Sequence, residues 1–396
     1  MNVSEFFQSS LGQTTPFPFL IHVKSAKGLF IYDQNNNAIA DLISGVAVSS
    51  LGHGHPKIQD AIHKQVDEFM HVMVYGEFIQ DAQVTFANAL LKLLPETLNA
   101  VYPVNSGTEA IEAAMKLVKR VTGRSEIIAF KGAYHGSTQG SMSISSNEVK
   151  KTNFRPLLPG IRFINLNRFD ELDCITENTA GVFLETIQGD AGIRIPEVAY
   201  IQALRKRCDE VGAMLVLDEI QCGLGRTGKL FAFEHFGIVP DVLTLGKALG
   251  GGMPIGALVT RQEWMQAFTH DPMLGHITTF GGHPVVCAAA TAFLDVLTTE
   301  IDLNHVQVVA EIFRATIGAH PDIVEVRNKG LMFAFDMVSA ERVEKVVKLC
   351  LEKNMLTFWF LSHPNSFRLA PPLNITVEQA NYYAGEIFKV IEETKD

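Results

Sequence analysis

Along this chain the apolar residues fall into short, nearly continuous runs separated by stretches with helical spacing. Residues 100–104, 127–130, 181–184, 214–217, 242–245 and 255–259 are runs of this kind, several of them bounded by Gly, Pro or Asp. A strand with one wet face alternates apolar and polar residues, whereas a strand buried on both faces does not. These runs therefore predict a mostly parallel sheet covered on both sides. Between them, residues 108–121 place Ala110, Ala113, Ala114, Leu117, Val118 and Val121 on one stripe, the mark of a helix packed on that sheet. Upstream, residues 28–33 and 38–43 flank the polar turn Gln34-Asn-Asn-Asn37, which is a hairpin pattern. A helix after Pro56 would carry Ile58, Ile62, Val66 and Phe69 on one face. Beyond Pro284 the texture changes to helices at 285–297, 306–317, 340–353 and after Thr376, alternating with strands near 331–337 and 367–370. That order predicts an α+β lobe beside the α/β sheet.

Composition narrows the function classes. Of 396 residues, 47% are apolar and 19% charged, a globular balance long enough for more than one core. The formal net charge of -10 disfavours a nucleic acid or an anionic membrane as partner. Five scattered cysteines without a Cys-x-x-Cys pair argue for reduced thiols and against a zinc ribbon. The start of the chain lacks a basic, then long apolar, leader, so a cytoplasmic location is expected. His53 and His55 invite a metal reading, but no further ligand follows at useful spacing and no metal is expected.

Several strand ends carry chemistry. Lys247 follows the run 242–245 and precedes Gly250-Gly-Gly252, a glycine-dense turn that lets a bulky ligand approach. Beside a partly dry cleft, a lysine loses stability in its charged form and becomes a nucleophile for carbonyl carbon, the requirement for a Schiff base. Asn105-Ser106-Gly107-Thr108 opens the helix after the first strand, where free N–H groups and the helix dipole suit a phosphate. Tyr134-His135-Gly136 puts an aromatic face at another strand end, available for stacking on a planar ring. Asp218 and Glu219 end an apolar strand. A buried carboxylate there needs a positive partner, either a protonated ring nitrogen or the nearby Arg226. Arg368, on a short strand before Pro371-Pro372, is a carboxylate reader by its planar fork.

Taken in order, these motifs resemble the class III pyridoxal-phosphate-dependent aminotransferases of the acetylornithine/ornithine/4-aminobutyrate group. The resemblance rests on Leu217-Asp-Glu-Ile-Gln-Cys-Gly-Leu-Gly-Arg-Thr-Gly228 and on the stretch 241–252 around Lys247. Asn105-Ser-Gly-Thr-Glu-Ala110, Tyr134-His-Gly136, Glu185-Thr-Ile-Gln-Gly189, Thr279-Phe-Gly-Gly282 and Arg368-Leu-Ala-Pro-Pro-Leu373 add to it. It implies a fold-type-I architecture: a seven-stranded, mostly parallel sheet in a large domain over 51–288, with 1–50 and 289–396 forming a small α+β domain. It implies pyridoxal 5'-phosphate bound through a Schiff base to Lys247, which then shuttles protons, with Asp218 on the pyridinium nitrogen. Gly107 and Thr108, with Ser106, would hold the phosphate, and Thr279 would reach it from the neighbouring subunit of a homodimer. Tyr134 would stack on the ring beside His135, with Gln221 near the ring hydroxyl and Glu185 close by. Arg368 would clamp a substrate carboxylate. The loop containing Tyr75 would line the substrate entrance. The substrates implied are an amino acid or ω-amine donor and a 2-oxo acid acceptor such as 2-oxoglutarate.

The chain departs from the family pattern chiefly where substrate is read. Ser137 stands where relatives often carry an arginine for a second carboxylate, and Thr186 and Asp190 replace a proline and a glutamate. Ile111 and His283 stand for usual asparagines. An aminomutase or racemase on the same fold, or a non-enzymatic relative, would share much of this machinery. A nucleotide enzyme is disfavoured because neither a dinucleotide fingerprint nor a Walker sequence is present.

Overall fold

The computed structural model describes residues 3–395. Its centre is a seven-stranded sheet whose spatial order is Ala100–Val104, Gly256–Thr260, Val242–Gly246, Met214–Asp218, Thr179–Glu185, Glu126–Phe130 and Ile161–Ile164. Gly256–Thr260 runs antiparallel to both of its neighbours, and every other pairing is parallel. The strands at 179–185, 214–218 and 242–246 are buried at every position, which explains their unbroken apolar sequence. The edge strand Ile161–Ile164 contains Arg162 and buries only Ile164. Its mixed pattern hides it from an apolar-run reading. The helix Gly107–Thr122 lays Ala110, Ala113, Ala114, Leu117 and Val118 on the sheet as its spacing predicts, and ends at Gly123 in the left-handed conformation.

Two smaller sheets stand beside this one. The first joins Val23–Lys27, Phe30–Asp33 and Ala38–Asp41 to Met355–Leu356 from the far end of the chain, which pairs parallel to Ala38–Asp41. The asparagine turn of its hairpin is held by Asp33, whose Oδ1 accepts from the amides of Asn35 and Asn37 at 2.8 Å each. The second is antiparallel, in the order Ile323–Lys329, Met332–Met337, Ser366–Leu369 and Phe358–Trp359. Backbone bonds tie the two ends of the chain together: Ala370 N to Leu42 O and Leu373 N to Ser50 O, each 2.7 Å. Arg226 is fully buried nearby, donating to Ser50 Oγ at 2.7 Å and to the carbonyls of Leu331 and Pro371.

The helix Pro56–Glu68 buries Ile58 and packs the half-buried Ile62 on the core, while Val66 and Phe69 are exposed, so the apolar face read from sequence packs over its first half. Exposed apolar side chains continue from there through Met70, Phe78 and Ile79, the last 92% exposed. His53 and His55 are structural: they face Asp41 at 2.9 Å and Glu300 at 3.7 Å. No group suited to a metal occurs among the described residues. Cys208, Cys222, Cys287 and Cys350 are buried free thiols, and Cys174 is half-buried and free. No single helix among the described residues is long and apolar enough to cross a membrane.

Candidate active site

The carboxyl ends of five sheet strands supply one cavity of about 290 Å³. Gly107 and Thr108 follow the first strand, Tyr134 and His135 follow the strand at 126–130, and Glu185 and Asp218 end theirs. Lys247 comes directly after Val242–Gly246 and is half-buried where it lines the cavity. This is the usual ligand edge of a parallel sheet. Lys247 adopts φ +43°, a left-handed conformation that costs a non-glycine residue roughly 1 kcal/mol or more and is held by its surroundings. Those surroundings are unusually close. A Cβ on Gly256 would stand 2.0 Å from Ser106 O, and one on Gly107 would stand 2.8 Å from Ile220 Cδ1. A Cβ on Gly246, at the end of the Lys247 strand, would stand 3.3 Å from Ile220 Cγ2 and 3.4 Å from Gly107 Cα. Three missing side chains thus let the Lys247 strand, its antiparallel neighbour and the helix start pack together.

The cavity's charges are coupled. Asp218 Oδ2 lies 2.7 Å from His135 Nδ1, and its Oδ1 accepts from the Ile220 amide. Both side chains are buried. Burial opposes protonation of His135, but the Asp218 hydrogen bond and charge outweigh it and raise the imidazole pKa. Lys247 is pulled the other way: desolvation lowers its pKa, against Asp218 and Glu185, and Arg368 adds to the lowering. Glu185 accepts from the amides of Tyr134 and Gly189 at 2.9 Å each, yet burial pushes its carboxyl up to about 7. Glu219 points away, held by Thr186 Oγ1 and the amides of Ala232 and Phe233, and burial raises it to about 7 as well. Arg226 does not meet Asp218; its partners lie at Ser50, Leu331 and Pro371. Of the two partners that sequence left open, Arg226 is thus removed, and within the chain it is His135 that faces Asp218.

Of the residues singled out from sequence, Gly107, Thr108, Tyr134, His135, Ser137, Glu185, Asp218, Gln221 and Lys247 line the cavity together. Ser106 does not line it; its Oγ accepts from the Glu109 amide and caps the helix. The Thr108 hydroxyl is engaged with Thr138 and Ser141 at 2.8 and 2.7 Å. Thr279 is exposed, outside this cavity. Tyr75 lines a separate cavity of about 700 Å³ with Tyr102, Met273, Ile277 and Thr278. Ile111 is buried in the helix–sheet core, and His283 precedes the helix Pro284–Thr299 with its ring stacked on His71. The cavity combines a helix amino end, an aromatic wall, a buried carboxylate and a lysine of lowered proton affinity. That donor set suits a phosphorylated pyridine aldehyde.

Arg368 stands near this cavity, buried on the Ser366–Leu369 strand. It donates to Trp359 O at 3.2 and 3.0 Å, and its guanidinium lies 4.5 Å from the Phe360 ring centre. Asp190 Oδ1 is 3.7 Å from Arg368 Nη2. The shorter side chain at 190 therefore does reach the arginine. Asp190 Oδ2 also meets Lys150 Nζ at 3.1 Å and the Ser362 hydroxyl at 2.5 Å. Sequence reasoning missed Lys150 and Ser362, because neither stands in a glycine-flanked motif.

Comparison with known proteins agrees with this geometry. The family model "Aminotransferase class-III" matches residues 12–391. An acetylornithine aminotransferase of Caldanaerobacter subterraneus is 36% identical over 372 residues, covering 91% of each chain. A [LysW]-aminoadipate semialdehyde/glutamate semialdehyde transaminase of Sulfurisphaera tokodaii is 36% identical over 320 residues, 80% of this chain and 81% of that one. Among solved structures, the ornithine aminotransferase of Toxoplasma gondii, with partial occupancy of PLP at its active site, superposes with a TM-score of 0.91 at 28% identity. That match covers 99% of this chain and 95% of the other.

Proposed function

The chain belongs to the class-III aminotransferases, and we propose that it moves an amino group from an amino acid or ω-amine of the acetylornithine/ornithine type to a 2-oxo acid such as 2-oxoglutarate. Transfer of an amino group by a pyridoxal-phosphate enzyme is the family's activity; the choice of donor and acceptor is our reading. The observation that carries it is Lys247, half-buried and of lowered proton affinity, in the same cavity as the His135-bonded Asp218.

Pyridoxal phosphate, when bound, supplies an electron sink that makes the bond beside the substrate nitrogen labile. Lys247 would anchor it and would then hold and return the proton at Nζ, a role its lowered proton affinity favours. Asp218, oriented by its contact with His135, would face the ring nitrogen and hold a proton there. The amino end of the helix Gly107–Thr122 would take the phosphate, and Tyr134 would cover one ring face. Arg368 would receive a substrate carboxylate, its fork oriented by Trp359 O. Thr279 and Tyr75 would complete the site of a partner subunit. Their exposure, alongside Met273, Leu274 and Phe280, supports a homodimer with shared sites. The small domain would comprise 1–50 and 289–396, a division supported by the sheet that joins Ala38–Asp41 to Met355–Leu356.

The test is a screen of amino donors with 2-oxoglutarate or pyruvate on protein loaded with pyridoxal phosphate. At least one donor is expected to yield a new amino acid, and Lys247→Ala should lower that rate by about 10²–10⁴-fold or more. Failure of every donor, with one donor isomerising instead, would replace transfer by aminomutase or racemase chemistry. Undiminished activity of Lys247→Ala would remove the lysine's assigned role.

A further inference from the structure

Ser137 leaves an uncharged hydroxyl at the cavity wall, 3.2 Å from the Tyr134 hydroxyl. A cation nevertheless stands beside this wall, over the ring of Tyr134. Lys150 Nζ lies 5.6 Å from the centre of the Tyr134 ring and 3.1 Å from Asp190 Oδ2. The short helix Glu148–Lys151 that carries it is fixed on both sides. Asn147 caps it and donates to Ser362 Oγ at 2.9 Å, and the buried Lys151 donates to Ser145 O at 2.8 Å. Lys150 is thus positioned, with its side chain only 34% exposed.

The Asp190 carboxylate stands between two cations, one oxygen toward Lys150 and the other toward Arg368. A carboxylate held this way offsets one of the two positive charges while no substrate is present. A substrate with an acid group at each end offers one to each cation. We propose that Lys150 is the specificity-determining residue for the distal carboxylate of a 2-oxo dicarboxylate, with Asp190 as its resident counter-charge and Arg368 reading the other end. This deepens the aminotransferase reading and rests on it for the role of Arg368. Lys150 acts as a point charge on a flexible stem, so the site tolerates some variation in chain length between the two acid groups.

The decisive measurement is binding, which needs no turnover. Dissociation constants for glutarate and butanoate, unreactive acids with two carboxylates and one, are compared on protein loaded with pyridoxal phosphate. Wild type should bind glutarate more tightly. Lys150→Met should lose about tenfold in glutarate affinity and little in butanoate affinity, the scale of one charge-assisted contact at a partly exposed site. Lys150→Arg should keep the preference, and Ser137→Arg added to Lys150→Met should restore it by supplying a cation from the neighbouring wall. Equal weakening of both ligands in Lys150→Met would show that the lysine only positions Asp190, and would overturn the proposal. A wild type without preference, or a Lys150→Met protein that keeps it, would overturn it too. If Lys150→Met does not fold, Lys150→Gln is measured by the same ratio. A failed donor screen with an intact binding ratio would reject amino transfer and leave the assignment of Lys150 standing.

Discussion

Replacing Gly256 by alanine tests whether the glycine contacts beneath Lys247 are as close as they stand in the fold. The new methyl would lie 2.0 Å from Ser106 O, 2.5 Å from its carbonyl carbon and 2.9 Å from Val104 Cγ2. Ordinary contact requires about 3.5 Å between carbon atoms, so the backbone at Ser106 must retreat by more than about 1 Å. Gly256 pairs with Val104 on one side and Gly246 on the other, leaving its strand little freedom to move instead. Overpacking of a closed core costs about 1–3 kcal/mol, and displacement of backbone puts this change at about 3 kcal/mol or above. Urea unfolding followed by intrinsic fluorescence should show the midpoint falling by about 1 M. The same retreat moves the cap that holds Glu109 N and shifts the helix end assigned to the phosphate, so retention of pyridoxal phosphate through gel filtration should fall as well. Gly385→Ala is the control: nothing lies within 4 Å of its Cβ, and it sits inside the terminal helix Val377–Glu393. There the same chemical change should stabilise by up to about 1 kcal/mol. If Gly256→Ala unfolds at the wild-type midpoint and retains cofactor normally, the close packing of the three glycines is refuted.

Two further outcomes follow from buried charge. Glu185 has its folded pKa raised to about 7 from 4.5 by burial, so the folded state holds the extra proton between those values. Its contribution to stability is then complete below pH 4.5, declines as pH rises and is gone above pH 7, a loss of about 3 kcal/mol. Glu219 and His135 shift the same way, so Glu185→Gln should make the decline in urea stability of cofactor-free protein between pH 5 and 8 shallower without abolishing it; an unchanged pH slope would contradict the assignment. Arg226→Ala would leave a cavity and unpaired acceptors at Ser50, Leu331 and Pro371. It is expected to cost about 3–5 kcal/mol, and a midpoint within error of wild type would show that the buried guanidinium is not needed there.

The strands that carry the site were legible because burial on both faces writes itself into sequence as continuous apolar runs. Lys247, Asp218 and Gly107 were legible for a related reason, since each stands where such a run stops. Ile161–Ile164 was not, because an edge strand with Arg162 in it has no such run. Pairing was harder to read than position. Asp218 has Arg226 eight residues downstream as a plausible partner, yet the fold gives it His135 from another strand end and sends Arg226 elsewhere. Lys150 looks like one charge in a polar surface helix, and only its pairing with Asp190 and its place over the Tyr134 ring mark it out. Thr279 and Tyr75 lie outside the Lys247 cavity of their own chain; the motifs give Thr279 to a neighbouring subunit's phosphate and Tyr75 to the substrate entrance.

The parallel pairing of Ala38–Asp41 with Met355–Leu356 also bears on how the molecule comes into being. During synthesis, at about 5–20 residues per second, the early strand waits roughly 15–60 s for a partner some 300 residues behind it. Through that interval the hairpin at 30–41 presents an unpaired edge, and Leu42, Ser44 and Ser50 lack the acceptors and donors supplied later by 370–373. The seven-stranded sheet ends at Thr260 and can assemble first. Residues 38–50 thus gain these partners only after 354–373 have been made, and an early segment of the chain waits on a late one.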